Sequence, residues 1–146
     1  MSINKGMMSS NTVEWATPQA FFDELNEEFH FTLDPCCTHH NKKCDTHYTK
    51  EDDGLSKDWS GETVFCNPPY GREIAEWVRK CHRESERGAT VVMLIPARTD
   101  TSYFHDYIYG KHEVRFIRGR LYFNDGGGRA PFPSMIVVMR GDRRCE

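Results

Sequence analysis

The segment Thr63-Val-Phe-Cys-Asn-Pro-Pro-Tyr-Gly71 decides the fold of this chain. Its first four residues predict a buried strand, which Asn67-Pro-Pro69 ends because proline has no N–H for a strand ladder. Apolar residues at helical spacing predict a helix over about 73–87, and Thr90–Ile95 is the most apolar run in the chain. This order of strand, helix and buried strand predicts an α/β domain with a mostly parallel sheet.

The same alternation extends to both sides of this unit. Upstream, Thr17-Pro18 is a capping residue followed by proline, which predicts the start of a helix. Phe31–Asp34 is predicted to form a short strand. Downstream we expect a short helix over 101–109 and two further strands, over 113–117 and 134–139. The segment 119–123 is predicted to extend the strand over 113–117 or to form an edge hairpin.

Composition limits the class of protein. The chain has 146 residues, 38% hydrophobic and 28% charged, with a net charge of −3, which is typical of one packed domain. We expect a disordered leader over 1–11 and a single catalytic domain over 12–146. No apolar run approaches the roughly 18 residues of a membrane helix, and the start lacks a signal peptide's apolar core, so we expect a cytoplasmic protein without membrane contact. The six cysteines are spread along the chain and are interpreted as reduced thiols.

Charge is unevenly divided along the chain. Residues 1–71 carry 5 Lys/Arg against 12 Asp/Glu, whereas residues 72–146 carry 14 against 10. An acidic half beside a basic half is compatible with a cationic cofactor on one side and a polyanion on the other. Two ordinary solvated faces explain the same counts equally well.

Three predicted strands end in polar or proline-rich tips, namely Asp34-Pro35, Asn67–Tyr70 and Pro96–Arg98. In α/β sheets, ligands bind at the carboxyl ends of the strands. The Asn67 side-chain oxygen and the carbonyl of Pro68 can together accept both protons of an exocyclic amino group, and Tyr70 offers a face for a planar base. The alternative is that the prolines only end a strand and Tyr70 packs in the core.

The chain resembles the phage-type, Dam-like DNA N6-adenine methyltransferases from Trp15 to about Val138. The motifs that carry the resemblance are Trp15-Ala-Thr-Pro18, Phe31-Thr-Leu-Asp-Pro-Cys36, Glu51-Asp-Asp-Gly-Leu55 with Asp58-Trp59, Cys66-Asn-Pro-Pro-Tyr-Gly71, Gly88-Ala-Thr-Val-Val92, Pro96-Ala-Arg-Thr-Asp100, Arg118-Gly-Arg-Leu121 and Ala130-Pro-Phe-Pro-Ser134. It implies a compact, Rossmann-like class I fold with a trimmed sheet, which uses S-adenosyl-L-methionine to methylate the N6 amino group of adenine in double-stranded DNA.

The resemblance also implies roles for individual residues. The catalytic residues would be Asn67, Pro68, Pro69 and Tyr70, with Asn67 and the Pro68 backbone holding the amino group and Tyr70 stacking on the flipped ring. The Thr17-Pro18 turn and the Asp34-Pro35 tip would bind the methionine part of the cofactor, and Asp53 or Asp58 its ribose or adenine. The full set of cofactor-binding residues would be Trp15, Thr17, Pro18, Asp34, Pro35, Cys36, Asp53, Asp58 and Asn67.

Arginines concentrate in the second half of the chain. Arg98, Arg118, Arg120 and Arg129, with Arg115 beside them, are candidates for phosphate contacts. We expect a monomer or a homodimer. Two alternatives remain open: methylation of cytosine N4, whose amino group has the same geometry, and a non-catalytic nucleic-acid-binding module stabilised by zinc. The second rests on six Cys and His residues between Cys36 and His47, whose spacing does not match the common zinc fingers, and no metal site is predicted.

Overall fold

The computed structural model describes residues 15–125 and 128–141. These residues form α1 (Gln19–Phe29), β1 (Thr63–Cys66), α2 (Ile74–Glu86), β2 (Thr90–Pro96), β3 (Glu113–Phe116) and β4 (Ser134–Met139). A 3₁₀ turn at Gly54–Ser56 and a π-helical turn at Phe104–Ile108 lie in the connections. The leader predicted over 1–11 lies outside the described residues. Within them, no helix is both long and apolar enough to cross a bilayer.

The four strands form one sheet in the order β1-β2-β4-β3. β1 and β2 are parallel, and the helix α2 connects them, so the α/β class and the predicted strand–helix–strand unit are confirmed. β4 is antiparallel to both of its neighbours. The sheet is therefore mixed, and the expectation of a mostly parallel sheet is wrong. The reason is the connection over 117–133, whose described residues form no crossover helix and which returns the chain into the sheet from the edge at which β3 ended.

Strand direction places the predicted tips at one edge of the sheet. Because β4 runs against both β2 and β3, the strands β1, β2 and β3 run the same way and end at the same edge. The segment predicted as a strand over 31–34 makes only two isolated parallel bridges, Leu33 with Val64 and Asp34 with His47. It still runs alongside β1 and ends at that edge. The segment 119–123 forms no strand.

The core lies between the two central strands and the helix α2. Every residue of β4, and every residue of β2 after Thr90, is buried. α2 packs Trp77, Val78 and Cys81 inward. Cys66 and Cys81 lie buried in this core, and every described cysteine is a free thiol.

The start of α1 differs from its prediction. Pro18 is the residue before the helix, and no side chain of the local sequence caps it. The Thr17 hydroxyl, predicted to cap the helix, instead accepts a hydrogen bond from Asn67. The backbone N–H of Gln19, at the start of the helix, has no acceptor within the helix and donates to the Asp125 carboxylate at 3.1 Å. A carboxylate at a helix N-terminus is favourable, so a distant loop supplies the cap that Thr17 does not.

Candidate active site

A cleft of about 710 Å³ opens at the carboxyl edge of the sheet, beside the end of β1. Its volume lies within the roughly 300–1,000 Å³ of small-molecule sites. Seven of the nine predicted cofactor-binding residues line it, together with Pro68 and Pro69. Those seven are Trp15, Thr17, Asp34, Pro35, Cys36, Asp53 and Asn67. The structure thus brings together residues that are up to 52 positions apart in the sequence.

Asn67 is the first residue after β1, and its side chain is half-buried. Its Nδ2 donates to the carbonyl oxygen of Trp15 and, at 2.9 Å, to the hydroxyl of Thr17. Its Oδ1 accepts a hydrogen bond from the Tyr70 hydroxyl at 2.7 Å. The Trp15 carbonyl can only accept, which fixes the orientation of the amide. An amide oxygen has two lone pairs, so Oδ1 keeps one after the bond to Tyr70.

The Pro68 carbonyl provides a second acceptor next to Asn67. Pro68 and Pro69 both line the cleft, and no described residue donates a hydrogen bond to the Pro68 carbonyl. Proline fixes φ, so the two successive prolines hold this turn rigid. Two neighbouring acceptors on a rigid turn suit a group that carries two N–H donors.

Tyr70 lies in the core and not along the cleft. Its side chain is 5% exposed and packs edge-on against Phe123 and Phe132. Its hydroxyl is also 3.1 Å from the carbonyl of Leu94. Burial raises the pKa of the Tyr70 phenol well above its ordinary value, so the hydroxyl stays a donor at neutral pH. In this conformation the ring orients Asn67 and has no open face for a base.

Asn124 holds the segment that contacts Asn67. Its Oδ1 accepts from the N–H of Ala16 at 2.8 Å, and its own N–H donates to the Ala16 carbonyl at 2.8 Å. Asn124 has a φ of 64°, a left-handed conformation that asparagine tolerates better than most residues. The Trp15 ring packs edge-on against Phe123 and Phe132 in the same region. Sequence reasoning missed Asn124 because it is 108 residues from its partner.

Asp34 is a buried carboxylate in the wall of the cleft, 3% exposed. It accepts hydrogen bonds from the backbone N–H groups of Lys43, at 2.9 Å, and Cys36, at 3.3 Å. Burial raises the pKa of its carboxyl to about 6, and the two backbone N–H groups limit that rise. Asp34 therefore fixes the start and the middle of the loop that encloses one side of the cleft.

The segment Cys36–His47 forms that loop. The Nδ1 of His47 lies 2.8 Å from the Asp45 carbonyl, which can only accept, so Nδ1 carries the proton. The Nε2 of His47 then accepts from the Nδ1 of His39 at 3.0 Å. Over residues 15–125 and 128–141, no group of three or more His, Cys, Asp or Glu side chains is placed to hold a metal ion. Two histidines of this loop, His39 and His47, bond to each other.

Asp53 and Asp58, the two candidates for the cofactor ribose, lie in different places. Asp53 lines the cleft and has a left-handed φ of 60°, just before the turn Gly54–Ser56. Asp58 is exposed and lies outside the cleft lining, and its carboxylate accepts from the N–H and hydroxyl of Ser60. Pro18 also lies outside the cleft lining, and its carbonyl accepts from the Phe22 N–H in the first turn of α1.

The cleft also contains residues to which the sequence assigned no role in cofactor binding. Glu51 and Glu73 add carboxylates to its lining, and Trp77 adds an indole. The Trp77 N–H is buried and has no acceptor among the described residues. Trp77 is one of the apolar residues whose spacing predicts the helix over 73–87. Carboxylates can accept hydrogen bonds from ribose hydroxyls, and an apolar wall can pack against a purine ring. Together with the buried indole donor, these groups fit an adenosine-containing cofactor such as S-adenosylmethionine.

Comparison with known proteins identifies the family. The model of the family described as DNA N-6-adenine-methyltransferase (Dam) matches residues 6–142. The chain belongs to this Dam family. It is 31% identical over 118 residues to the DNA N-6-adenine-methyltransferase of Haemophilus phage HP1 (strain HP1c1), covering 76% of this chain and 68% of that protein. It is 28% identical over 130 residues to the DNA N-6-adenine-methyltransferase of Escherichia phage T1, covering 88% of this chain and 54% of that one.

A solved structure gives a more distant match. It is described as that of a methyltransferase from Thermoplasma acidophilum, with a TM-score of 0.45, 11% identity and coverage of 86% of this chain and 65% of that chain. A match at this level supports no conclusion about this chain. Membership of the Dam family, in contrast, shows that this chain is an enzyme that methylates the N6 amino group of adenine in DNA. The alternative of a non-catalytic zinc-stabilised module is wrong.

The predicted DNA-binding arginines of this Dam-family chain are all on the surface. Arg98 follows β2 and Arg118 follows β3, so both lie at the edge that holds Asn67. Arg120 donates to the carbonyl of Ala130 at 3.2 Å and braces the loop that also contains Arg129. Arg115 differs from these four, because it forms a bidentate pair with Glu28, both distances 2.8 Å. Arg115 is therefore a structural residue.

Proposed function

We propose that this chain transfers the methyl group of S-adenosyl-L-methionine to adenine N6 in double-stranded DNA, with Asn67 and Pro68 holding the amino group. The observation that carries these roles is the pair of acceptors, Asn67 Oδ1 and the Pro68 carbonyl, on one rigid turn at the lining of the cleft. The same cleft contains the residues that suit the cofactor.

The amino nitrogen of adenine is a weak nucleophile because its lone pair is delocalised into the ring. Two acceptors that hold both N–H groups favour a pyramidal nitrogen, whose lone pair is free to attack. The cofactor would supply a methyl group on a sulfonium, from which S-adenosylhomocysteine leaves as a neutral thioether, a very good leaving group. The methylated amino group then releases one proton. The protein therefore contributes chiefly by alignment. Burial raises the pKa of the Cys66 thiol, which supports a strand role for Cys66 and a reaction without a covalent cysteine intermediate.

The cofactor lies along the cleft in this proposal. Trp15, Thr17, Asp34, Pro35 and Cys36 hold its methionine part, and Pro18 starts the helix behind them. Asp53 binds the ribose hydroxyls, since Asp58 is committed to Ser60 and lies outside the cleft lining.

The target base must leave the duplex to reach Asn67, so base flipping is part of the proposal. In the structure Tyr70 orients Asn67 through its hydroxyl and packs on Phe123 and Phe132. Stacking of Tyr70 on the flipped adenine requires the ring to leave that packing. Pro69 keeps the turn between Asn67 and Tyr70 rigid while the ring moves.

The DNA backbone lies across the strand ends in this proposal. Arg98, Arg118, Arg120 and Arg129 provide positive charge at the surface on the side of Asn67 that carries the later strands. Phosphate contacts of this kind fix the position of a duplex without reading its sequence. We place the enzyme in the cytoplasm of a bacterial or phage-infected cell, where its DNA substrate is found.

The test is methyl transfer from labelled S-adenosylmethionine to unmodified duplex DNA, followed by digestion to nucleosides. We expect the label in N6-methyldeoxyadenosine, and a loss of roughly 100-fold or more in kcat for Asn67→Ala. Label in N4-methyldeoxycytidine would reassign the target base, and no transfer to any DNA would refute the proposal. Methylation-sensitive sequencing of DNA from expressing cells then reports the recognition sequence.

Two matched variants test the placement of the ribose. Asp53→Asn removes a carboxylate charge from the cleft, and Asp58→Asn removes one outside it. Asp53→Asn should weaken S-adenosylhomocysteine binding about tenfold, and Asp58→Asn should leave it unchanged. The reverse result would place the ribose at Asp58.

A further inference from the structure

Trp77 places a buried hydrogen-bond donor in the wall of the cleft. The residue lies on α2, is 5% exposed and lines the cleft. Its indole N–H is buried and meets no acceptor among the described residues. Native proteins pair most buried donors, because a buried N–H without a partner has lost its bond to water. An acceptor that binds in the cleft would complete this one.

Trp59 lies beside Trp77, and its indole N–H has a hydrogen-bond acceptor. The two rings are stacked, with centroids 6.4 Å apart and planes at 23°. The Trp59 N–H donates to the carbonyl of Gly54 at 3.1 Å, and the residue is fully buried and absent from the cleft lining. Of these two neighbouring indoles, therefore, only the one at the cleft lacks a partner within the described part of the protein.

The Trp77 ring packs closely against the backbone at one wall of the cleft. At Gly54, a Cβ would lie 2.2 Å from the Pro35 carbonyl and 3.3 Å from the Trp77 ring, so glycine is required for this close packing. Pro35, Leu55 and Pro69 add apolar surface to the same cleft. A purine ring fits such a wall, and its ring nitrogens are hydrogen-bond acceptors.

We infer that the Trp77 indole N–H donates a hydrogen bond to a ring nitrogen of the cofactor's adenine, which makes Trp77 a determinant of cofactor specificity. The inference rests on the proposed function, because it requires S-adenosylmethionine to bind in this cleft. Asp53 lies at the same cleft and binds the ribose in that proposal, which keeps the nucleoside together at one end. Trp77 contributes affinity and orientation, and it takes no part in the transfer of the methyl group.

The first experiment measures binding of S-adenosylhomocysteine by calorimetry to the wild type, Trp77→Phe and Trp59→Phe. Phenylalanine keeps an aromatic ring and removes the N–H. Trp77→Phe should bind about tenfold more weakly, as expected for the loss of one buried hydrogen bond. Trp59→Phe is the matched control, since it removes an indole N–H from the same stacked pair outside the cleft lining, and its affinity should match the wild type.

The second experiment uses the wild type, so it does not depend on the folding of any variant. S-adenosylhomocysteine analogues with the ring nitrogen at position 1, 3 or 7 replaced by C–H are compared with the parent compound. One of them should bind about tenfold more weakly, because it lacks the acceptor. With Trp77→Phe, that analogue and the parent should bind equally. The chain has three tryptophans, and the indole N–H resonance of Trp77 should shift downfield when the parent compound saturates the protein.

The outcomes separate the two proposals. If the wild type fails to bind S-adenosylhomocysteine, the proposed function is refuted together with this inference. If the wild type binds it, but Trp77→Phe binds equally well or no analogue is discriminated against, the inference alone is overturned.

Discussion

The hydroxyl of Tyr70 donates a hydrogen bond to the side-chain oxygen of Asn67 at 2.7 Å. The two residues belong to one four-residue motif, and this bond lets the buried tyrosine contribute to the orientation of the Asn67 amide. Asn67 is also held from the other side by Trp15 and Thr17. The position of Asn67 Oδ1 therefore depends on Tyr70 and on the segment Trp15–Thr17.

Removal of the Tyr70 hydroxyl should slow methyl transfer without weakening cofactor binding. Tyr70→Phe leaves the ring in the core but removes one of the three hydrogen bonds that hold the Asn67 amide. We expect kcat to fall about tenfold, as for the loss of one hydrogen bond, with the dissociation constant of S-adenosylmethionine unchanged. Tyr103→Phe removes another buried hydroxyl, distant in sequence from the motif, and should lower stability only. An unchanged kcat in Tyr70→Phe would show that the hydroxyl does not orient Asn67.

Asn124 should act on both cofactor binding and catalysis through the segment Trp15–Thr17. Asn124→Ala loses the acceptor for Ala16 N–H and places alanine at a φ of 64°. We expect weaker binding of S-adenosylmethionine, lower kcat, and faster hydrogen exchange of the Ala16 amide.

Two further variants separate the causes of that effect. Asn124→Asp keeps the acceptor and should restore slow exchange at Ala16. Asn124→Gly tolerates the left-handed backbone but lacks the acceptor, so it should behave like Asn124→Ala. If Asn124→Gly behaves like the wild type, backbone strain rather than the hydrogen bond explains the loss.

The raised pKa of Asp34 predicts a pH dependence of stability. Burial raises this pKa from 3.8 to about 6, so between these pH values the folded protein holds a proton that the unfolded chain has released. The contribution of Asp34 to stability is therefore greatest below the unfolded pKa and falls as pH rises through about 6. The free energy of unfolding changes by about 1.4 kcal/mol for each pH unit in this window, or by about 3 kcal/mol in total.

Urea unfolding between pH 3.5 and 7.5 measures this contribution. Asparagine at position 34 cannot titrate, so the difference in unfolding free energy between wild type and Asp34→Asn should change by about 3 kcal/mol across that range. A constant difference would mean that Asp34 titrates normally in the folded state.

The salt dependence of DNA binding should identify the arginines that contact phosphate. Each phosphate contact contributes about 0.9 to the slope of log K against log salt concentration. Arg118→Ala, measured by fluorescence anisotropy from 50 to 200 mM salt, should lower the slope by about that amount. Arg115→Ala is the control, because Arg115 is paired with Glu28, and its slope should match the wild type. Equal slopes in both variants would exclude Arg118 from the interface.

Local patterns were sufficient for most of the elements. The strands over 63–66 and 134–139 have the bounds that their apolar runs predict, and the helix predicted over 73–87 is observed at Ile74–Glu86. Such runs are read correctly because a continuous apolar segment is stable only when buried. The resemblance likewise implied nine cofactor-binding residues, and seven of them line one cleft.

The sequence alone could not show which residues far apart in the chain contact each other. Thr17 is a residue type that commonly caps helices, yet its hydroxyl accepts a hydrogen bond from Asn67. The helix is capped instead by Asp125, which lies 106 residues from Gln19 in the sequence. Tyr70 was open to two interpretations, base stacking or core packing, and only its contact with Phe123 and Phe132 places it in the core.

Local periodicity in the sequence was enough to determine the α/β class and to place Asn67–Tyr70 at a strand end, and the ordered motifs carried the resemblance to the Dam family. The tertiary structure decided the antiparallel entry of β4, the hold of Asn124 on the segment before α1, and the burial of the Trp77 indole N–H, which meets no acceptor within residues 15–125 and 128–141. Each of these depends on contacts between segments far apart in the chain. Packing and hydrogen bonding across the sheet edge select such contacts, and no local pattern encodes them.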